Sequence, residues 1–201
     1  METSPVRTTQ AHARMRADAR RNRERLLAAA TDVFAELGAD APLEDIARRA
    51  GVGIGTLYRH FPTRLDLQEA VFRDQVAAVC ASASELSRSH PPGDALALWL
   101  GSLTSYIATK RGLSPALING LGRDSDLVTS CSAQMRAAGT GLLTAAREAG
   151  EVRPDITIGD LLRLVHGIVV ATEQLPTDTS QRDRLLALVF DGLRVTAPRD
   201  A

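Results

Sequence analysis

The sequence predicts an all-α protein of about nine helices, with a small three-helix head followed by a larger helical body. Apolar residues recur at three- and four-residue steps through most of the chain, and no run alternates long enough to make a strand. The apolar fraction is 44% with only 3% aromatic residues, so Ala, Leu and Val must build the core, and Ala and Leu favour helix. Gly and Pro punctuate the pattern at helix-length intervals, at Gly38, Gly51, Pro62, His90-Pro-Pro-Gly93, Gly112, Gly122 and Gly150.

Residues 1–18 lack apolar periodicity, and 1–21 read as a flexible basic arm. From Asn22 the pattern turns helical through Leu26, Leu27, Ala30, Val33, Phe34 and Leu37, and Gly38 follows as a natural C-terminal residue. Pro42 suits the first turn of a second helix over 43–50. Gly51-Val-Gly53 forms a tight turn into a third, short helix over 54–60, stopped by Pro62. Thr63 with Asp66 makes a variant capping box that opens a long fourth helix reaching residue 89. Five more helices follow near 95–110, 114–121, 125–149, 158–175 and 181–195. The domain cut places a head at 22–81, with its helix-turn-helix over about 43–62, and a regulatory and dimerisation body at 82–201.

Net charge is zero, but residues 1–64 hold 11 arginines against 8 acidic residues, and the first 25 hold seven against three. A basic end on a neutral chain suits an anionic partner, although a solvated basic tail explains it equally well. Cys80 and Cys131 do not make a disulfide framework and read as reduced packing residues. No stretch is apolar enough to span a membrane and no secretory signal is visible, so a cytoplasmic location is expected. Histidines and cysteines show no metal-binding spacing. There is no phosphate loop, nucleophile elbow or clustered acid–base pair. Neither enzymatic activity, cofactor nor metal is expected.

Two short helices joined by a tight glycine turn form a known DNA-binding unit. The second helix must expose small or polar residues and be braced from behind. Here Ile46, Ala47, Val52, Leu57 and Phe61 supply the brace. The residues themselves are more specific than the pattern. Leu43-Glu-Asp-Ile-Ala-Arg-Arg-Ala-Gly-Val-Gly-Ile-Gly-Thr-Leu-Tyr-Arg-His-Phe-Pro-Thr-Arg-Leu-Asp-Leu67, with the helix 26–38 before it, closely resembles the signature of the TetR/AcrR family. The resemblance is strong over about 22–72; beyond that only the helical layout fits.

The resemblance implies a recognition helix whose N-terminal Gly53, Ile54, Gly55 and Thr56 enter the major groove of double-stranded DNA. It places Tyr58, His60 and Arg64 on the backbone and Arg59 at a variable, base-reading position. Arg48 and the arm's arginines would add phosphate contacts, which give affinity rather than sequence reading. On a purely structural reading, Tyr58 packs on the first helix, His60 ends its helix and Arg48 lies on a solvated face. Pro42 departs from the pattern, replacing a Thr or Ser that caps helix 2 and binds phosphate in many members.

The family design further implies a homodimer on a palindromic operator and an unidentified small-molecule effector. Leu161, Val165, Ile168, Leu185, Val189 and Leu193 are the expected dimer face. Phe72, Trp99, Tyr106, Asn119, Gln134, Met135 and His166 are the expected pocket residues, with core packing an equal alternative for each. The expected activity is repression relieved by the effector. A helical small-molecule-binding or adaptor protein without sequence-specific DNA binding is the competing reading, which zero net charge leaves open.

Overall fold

The computed structural model describes the backbone of residues 5–121, 125–172 and 179–194, and the side chains of 15–104, 106–107, 125–172 and 181–194. Eight helices occur among these residues: α1 (Pro5–Leu37), α2 (Leu43–Arg49), α3 (Ile54–His60), α4 (Arg64–Ser89), α5 (Pro92–Leu121), α6 (Asp126–Glu148), α7 (Ile158–Ala171) and α8 (Thr179–Leu193). The only extended pairing among them is a single bridge between Val152 and Arg194. The all-α expectation holds.

Two expectations need correction. Residues 5–21 are not a flexible arm but the first half of α1. Nothing between Pro5 and Gly38 breaks a helix, and Pro is tolerated in a first turn. From Met15 to Arg25 nearly every side chain is exposed. The missing apolar period therefore reported missing burial, not missing helix. Likewise the helices expected at 95–110 and 114–121 are one, α5, running through Gly112. A glycine inside a helix costs about 1 kcal/mol against Ala, too little to end a 30-residue helix.

The described residues cluster into two compact units, one made of those up to Phe72 with Gly112–Gly120, the other of Arg73–Arg111 with those from Leu121 onward. In the first, Leu26, Ala30, Val33 and Phe34 of α1 are buried together with Ile46 of α2, Leu57 of α3, the following Phe61, and Leu67 and Val71 of α4. In the second, the fully buried Trp99 of α5 donates its indole N–H to the Val79 carbonyl at 2.9 Å. A Cβ built on Gly139 of α6 would lie 2.7 Å from the Trp99 ring and 2.6 Å from Ile158 Cδ1, so α6 needs a glycine where α5 and α7 approach. α7 begins with a complete capping box between Thr157 and Asp160. Neither cysteine is in a disulfide; Cys131 is buried and Cys80 half-buried. Burial raises the Cys80 thiol, and burial likewise drives the Tyr106 phenol well above its ordinary range, with both cysteines adding to it.

Candidate nucleic-acid interface

The approach to α2 is set by Gly38, whose φ of +84° turns the chain out of α1. Its N–H donates to Phe34 O at 3.0 Å. Pro42 precedes α2 in extended geometry with no side-chain cap, so the missing hydroxyl that the sequence pointed to is a real absence among the described hydrogen bonds. Glu44 and Asp45 in the first turn offset the helix dipole instead.

α2 ends in a Schellman closure. Gly51 N–H donates to Arg48 O at 3.1 Å and Val52 N–H to Ala47 O at 3.0 Å. Gly51 takes φ +65°, which disfavours any side chain there. Gly53 then caps α3 in extended geometry. α3 has seven residues and buries one of them, Leu57. Phe61 closes it, donating its N–H to Leu57 O at 2.8 Å, and Thr63 and Asp66 exchange hydrogen bonds that start α4. That capping box with Asp in the acidic place is as the sequence predicts.

The outer side of α3 presents Gly53, Ile54, Gly55, Tyr58 and Arg59 to solvent, with Thr56 and His60 half-buried. Tyr58 is 47% exposed, so it does not pack away on α1. A Cβ at Gly53 or Gly55 would meet nothing within 4 Å, and neither has positive φ. The fold therefore does not itself require glycine at either position. Arg48 is exposed and paired with Asp45 at 2.6 Å. Arg49 holds Glu36 at 2.8 Å, and that hydrogen bond is the main reason the Glu36 carboxyl is lowered from its ordinary range.

Arg64 is placed differently from the expectation of a free phosphate-binding cation. It is half-buried, and its Nη1 donates to Ala39 O at 3.2 Å and Ala41 O at 2.6 Å. Gln68, one turn later and buried, donates to the same Ala39 carbonyl at 3.0 Å. Both hold the loop between α1 and α2. Sequence reading also missed Arg25 and Arg23 on α1. Arg25 Nη2 donates to the carbonyls of Ala50 and Gly51, and the Arg23 guanidinium lies 5.5 Å above the Phe61 ring. Read as parts of a basic arm, the two gave no pattern that separates them from the other arginines of α1.

The expected pocket residues do not share one environment. Phe72, Trp99 and Tyr106 are buried, Met135 is half-buried, and the Asn119 side chain lies outside the described residues. Gln134 and His166 are exposed on α6 and α7, Gln134 bonding Ser130 at 3.2 Å, which removes them as interior groups. Of the expected dimer face, Leu161, Val165 and Leu193 are buried inside the unit. They lie on the helix faces already committed to packing between neighbouring helices. Ile168, Leu185 and Val189 remain partly open, and Leu164, Val170 and Leu188 are exposed beside them.

A short, exposed helix held behind a glycine turn by three other helices defines a helix-turn-helix protein of the DNA-binding type. Residues 26–71 match the family model described as bacterial regulatory proteins, tetR family, and residues 91–195 match that of the transcriptional regulator SbtR-like C-terminal domain. The chain is 43% identical to a TetR transcriptional regulator from Streptomyces coelicolor, with a TM-score of 0.78 over 87% of this chain and 99% of that one. It is 36% identical to a TetR transcription regulatory protein from Mycobacterium vanbaalenii, with a TM-score of 0.72 over 90% and 99%. The chain belongs to the TetR family. Among curated relatives, the HTH-type regulators TtgW and SrpR of Pseudomonas putida are each 45% identical over 56 residues, 27% of this chain. Those matches span 42% and 26% of the two relatives, so they bear on the head alone.

Proposed function

We propose that the protein is a homodimeric, ligand-responsive transcriptional regulator that represses from a palindromic operator and is released by a small molecule. One observation carries the DNA-binding part. α3 exposes Gly53 and Gly55 at its N-terminus, although the space around them would accept a side chain. A glycine that the fold does not need makes sense where another molecule's surface comes close to the backbone. Thr56 and Arg59 then supply the hydrogen bonds to base edges, and an Arg on guanine is worth roughly 1–3 kcal/mol of discrimination. Tyr58, His60 and Arg48 serve the phosphates. Arg64 mainly holds the loop before α2, with the remaining N–H groups of its fork left to reach DNA.

The effector belongs to the second unit. Gln75 Oε1 is buried there without a hydrogen-bond partner among the described residues, an acceptor suited to a ligand donor. Trp99, Tyr106 and Met135 supply apolar surface in the same unit.

The test is titration of the protein onto DNA flanking its own gene, with scrambled DNA as competitor at moderate salt. Sequence-specific binding is expected, and Tyr58→Ala should weaken it without changing helicity. Equal binding to both DNAs would overturn the regulator reading in favour of an adaptor or small-molecule carrier. Compounds that raise the melting temperature are then added to the complex, since a native-state binder stabilises by mass action. Release of DNA by such a compound is the expected result.

A further inference from the structure

Arg25 lies outside the helix-turn-helix, on α1, yet it touches the turn at its centre. Its Nη2 donates to the carbonyl of Gly51 at 3.0 Å and to that of Ala50. These carbonyls stand at the C-terminal end of α2, where a helix leaves acceptors unpaired and partial negative charge collects. The Schellman closure uses the N–H groups of Gly51 and Val52 and does nothing for these two oxygens. A Cβ at Gly51 would lie 2.6 Å from Arg25 Nη2, so the guanidinium also fills the space beside the turn. α3 has little else to fix its direction: seven residues, one buried side chain and no side-chain cap.

We propose that Arg25 is a positioning residue for DNA reading. It locks the α2–α3 turn from α1 and so fixes the direction in which Gly53, Ile54, Thr56 and Arg59 are presented. This rests on the DNA-binding function proposed above. A guanidinium suits the task because Nη2 carries two N–H groups in a fixed plane, one for each of the two adjacent carbonyls, and its charge is permanent. Arg23, two residues earlier on α1, lies over the ring of Phe61, which closes the far end of α3.

The test uses the full-length Arg25→Ala and Arg25→Lys proteins on a DNA fragment bound by the wild type. Arg25 is exposed beyond its two contacts, so both variants should keep wild-type helicity by circular dichroism. Arg25→Ala is expected to weaken binding about ten-fold, the effect of losing charge-assisted hydrogen bonds. Arg25→Lys should recover only part of it. The slope of log affinity against log salt should not change, because no phosphate contact is removed. In the free protein, hydrogen exchange at the Gly51 and Val52 amides, which close the turn, should quicken in Arg25→Ala. Wild-type affinity in Arg25→Ala, or full rescue by Lys, overturns the proposal. So does a slope flatter by about 0.9 for each protomer bound, about 1.8 for a dimer, with unchanged exchange, which would make Arg25 a phosphate contact. If the wild type itself shows no specific binding, the regulator reading fails and the DNA-reading role falls with it. The exchange measurement then still decides whether Arg25 holds the turn.

Discussion

At the scale of single residues, the recognition surface is marked by what its glycines lack. Gly51 is required by its own φ of +65°, whereas Gly55 lies within α3 with open space where a side chain would go. Gly55→Ala should therefore stabilise the protein, by about 0.5–1 kcal/mol from helix propensity and reduced unfolded-state entropy. If Gly55 admits DNA closely, the same methyl should weaken operator binding. Stability and affinity moving in opposite directions is the expected signature, read by thermal melting and by titration with DNA. A variant that is both more stable and equally tight would show that no partner approaches position 55. The helix and turn over 51–61 were legible from local spacing and turn chemistry, while its DNA-reading role came from the resemblance of 43–67 to the TetR/AcrR signature. The roles of Arg25, Arg64 and Gln68 were not. Each bonds carbonyls 23 to 29 residues away, and a carbonyl acceptor leaves no trace in the sequence.

At the scale of elements, periodicity reported burial more faithfully than helix. It found α2, α3 and the start of α4 within a residue or two, because each has one buried stripe and a definite stop. It missed the first half of α1, which is helical but solvated, and it split α5 at Gly112. Glycines on α6 divide by surroundings in the same way. Gly139 is pressed by Trp99 and Ile158, while Gly141 has open space. Gly139→Ala should destabilise by about 1–3 kcal/mol through overpacking. Gly141→Ala should be neutral or stabilising, and equal melting temperatures for the pair would refute this packing. The N-terminus of α7 adds a pH dependence. The Thr157 hydroxyl holds the Asp160 carboxyl below its ordinary value of 3.8, with the Thr157 N–H adding to it. A depressed folded pKa means stability that is complete above the ordinary range and lost as pH falls through the folded value. Asp160→Asn should thus melt lower than the wild type at neutral pH, with the gap closing in acid. A gap that stayed constant with pH would show that ionisation of Asp160 does not matter.

At the scale of the whole molecule, the question is which surface pairs two copies. α7 carries two apolar stripes. Ile158, Leu161, Val165 and Val169 are buried, and Leu164, Gly167, Ile168 and Ala171 lie on another side. Leu185 of α8 joins the second stripe. Leu164, Val170 and Leu188 are 46%, 49% and 62% exposed. Leaving such a surface in water forgoes about 25 cal/mol for each Å² that could be buried. A two-fold axis would cover it with its own copy and bring α7 and α8 of both chains together. The sequence pointed to these two helices but could not say which face of each the subunit itself would consume, since that depends on neighbours far along the chain. Leu164→Glu with Leu188→Glu should give a folded monomer near 21.5 kDa by light scattering, because the replaced side chains are exposed in the single subunit. Leu161→Glu should unfold the protein instead, because a charge there would be buried unpaired. The monomer should also lose operator affinity by roughly 100-fold or more, since a second half-site is bound at the high effective concentration that only a dimer provides. An isolated half-site should bind monomer and dimer heads alike. A double variant that remained dimeric would move the interface elsewhere. A monomer that kept full operator affinity would show that the two half-sites are not read together.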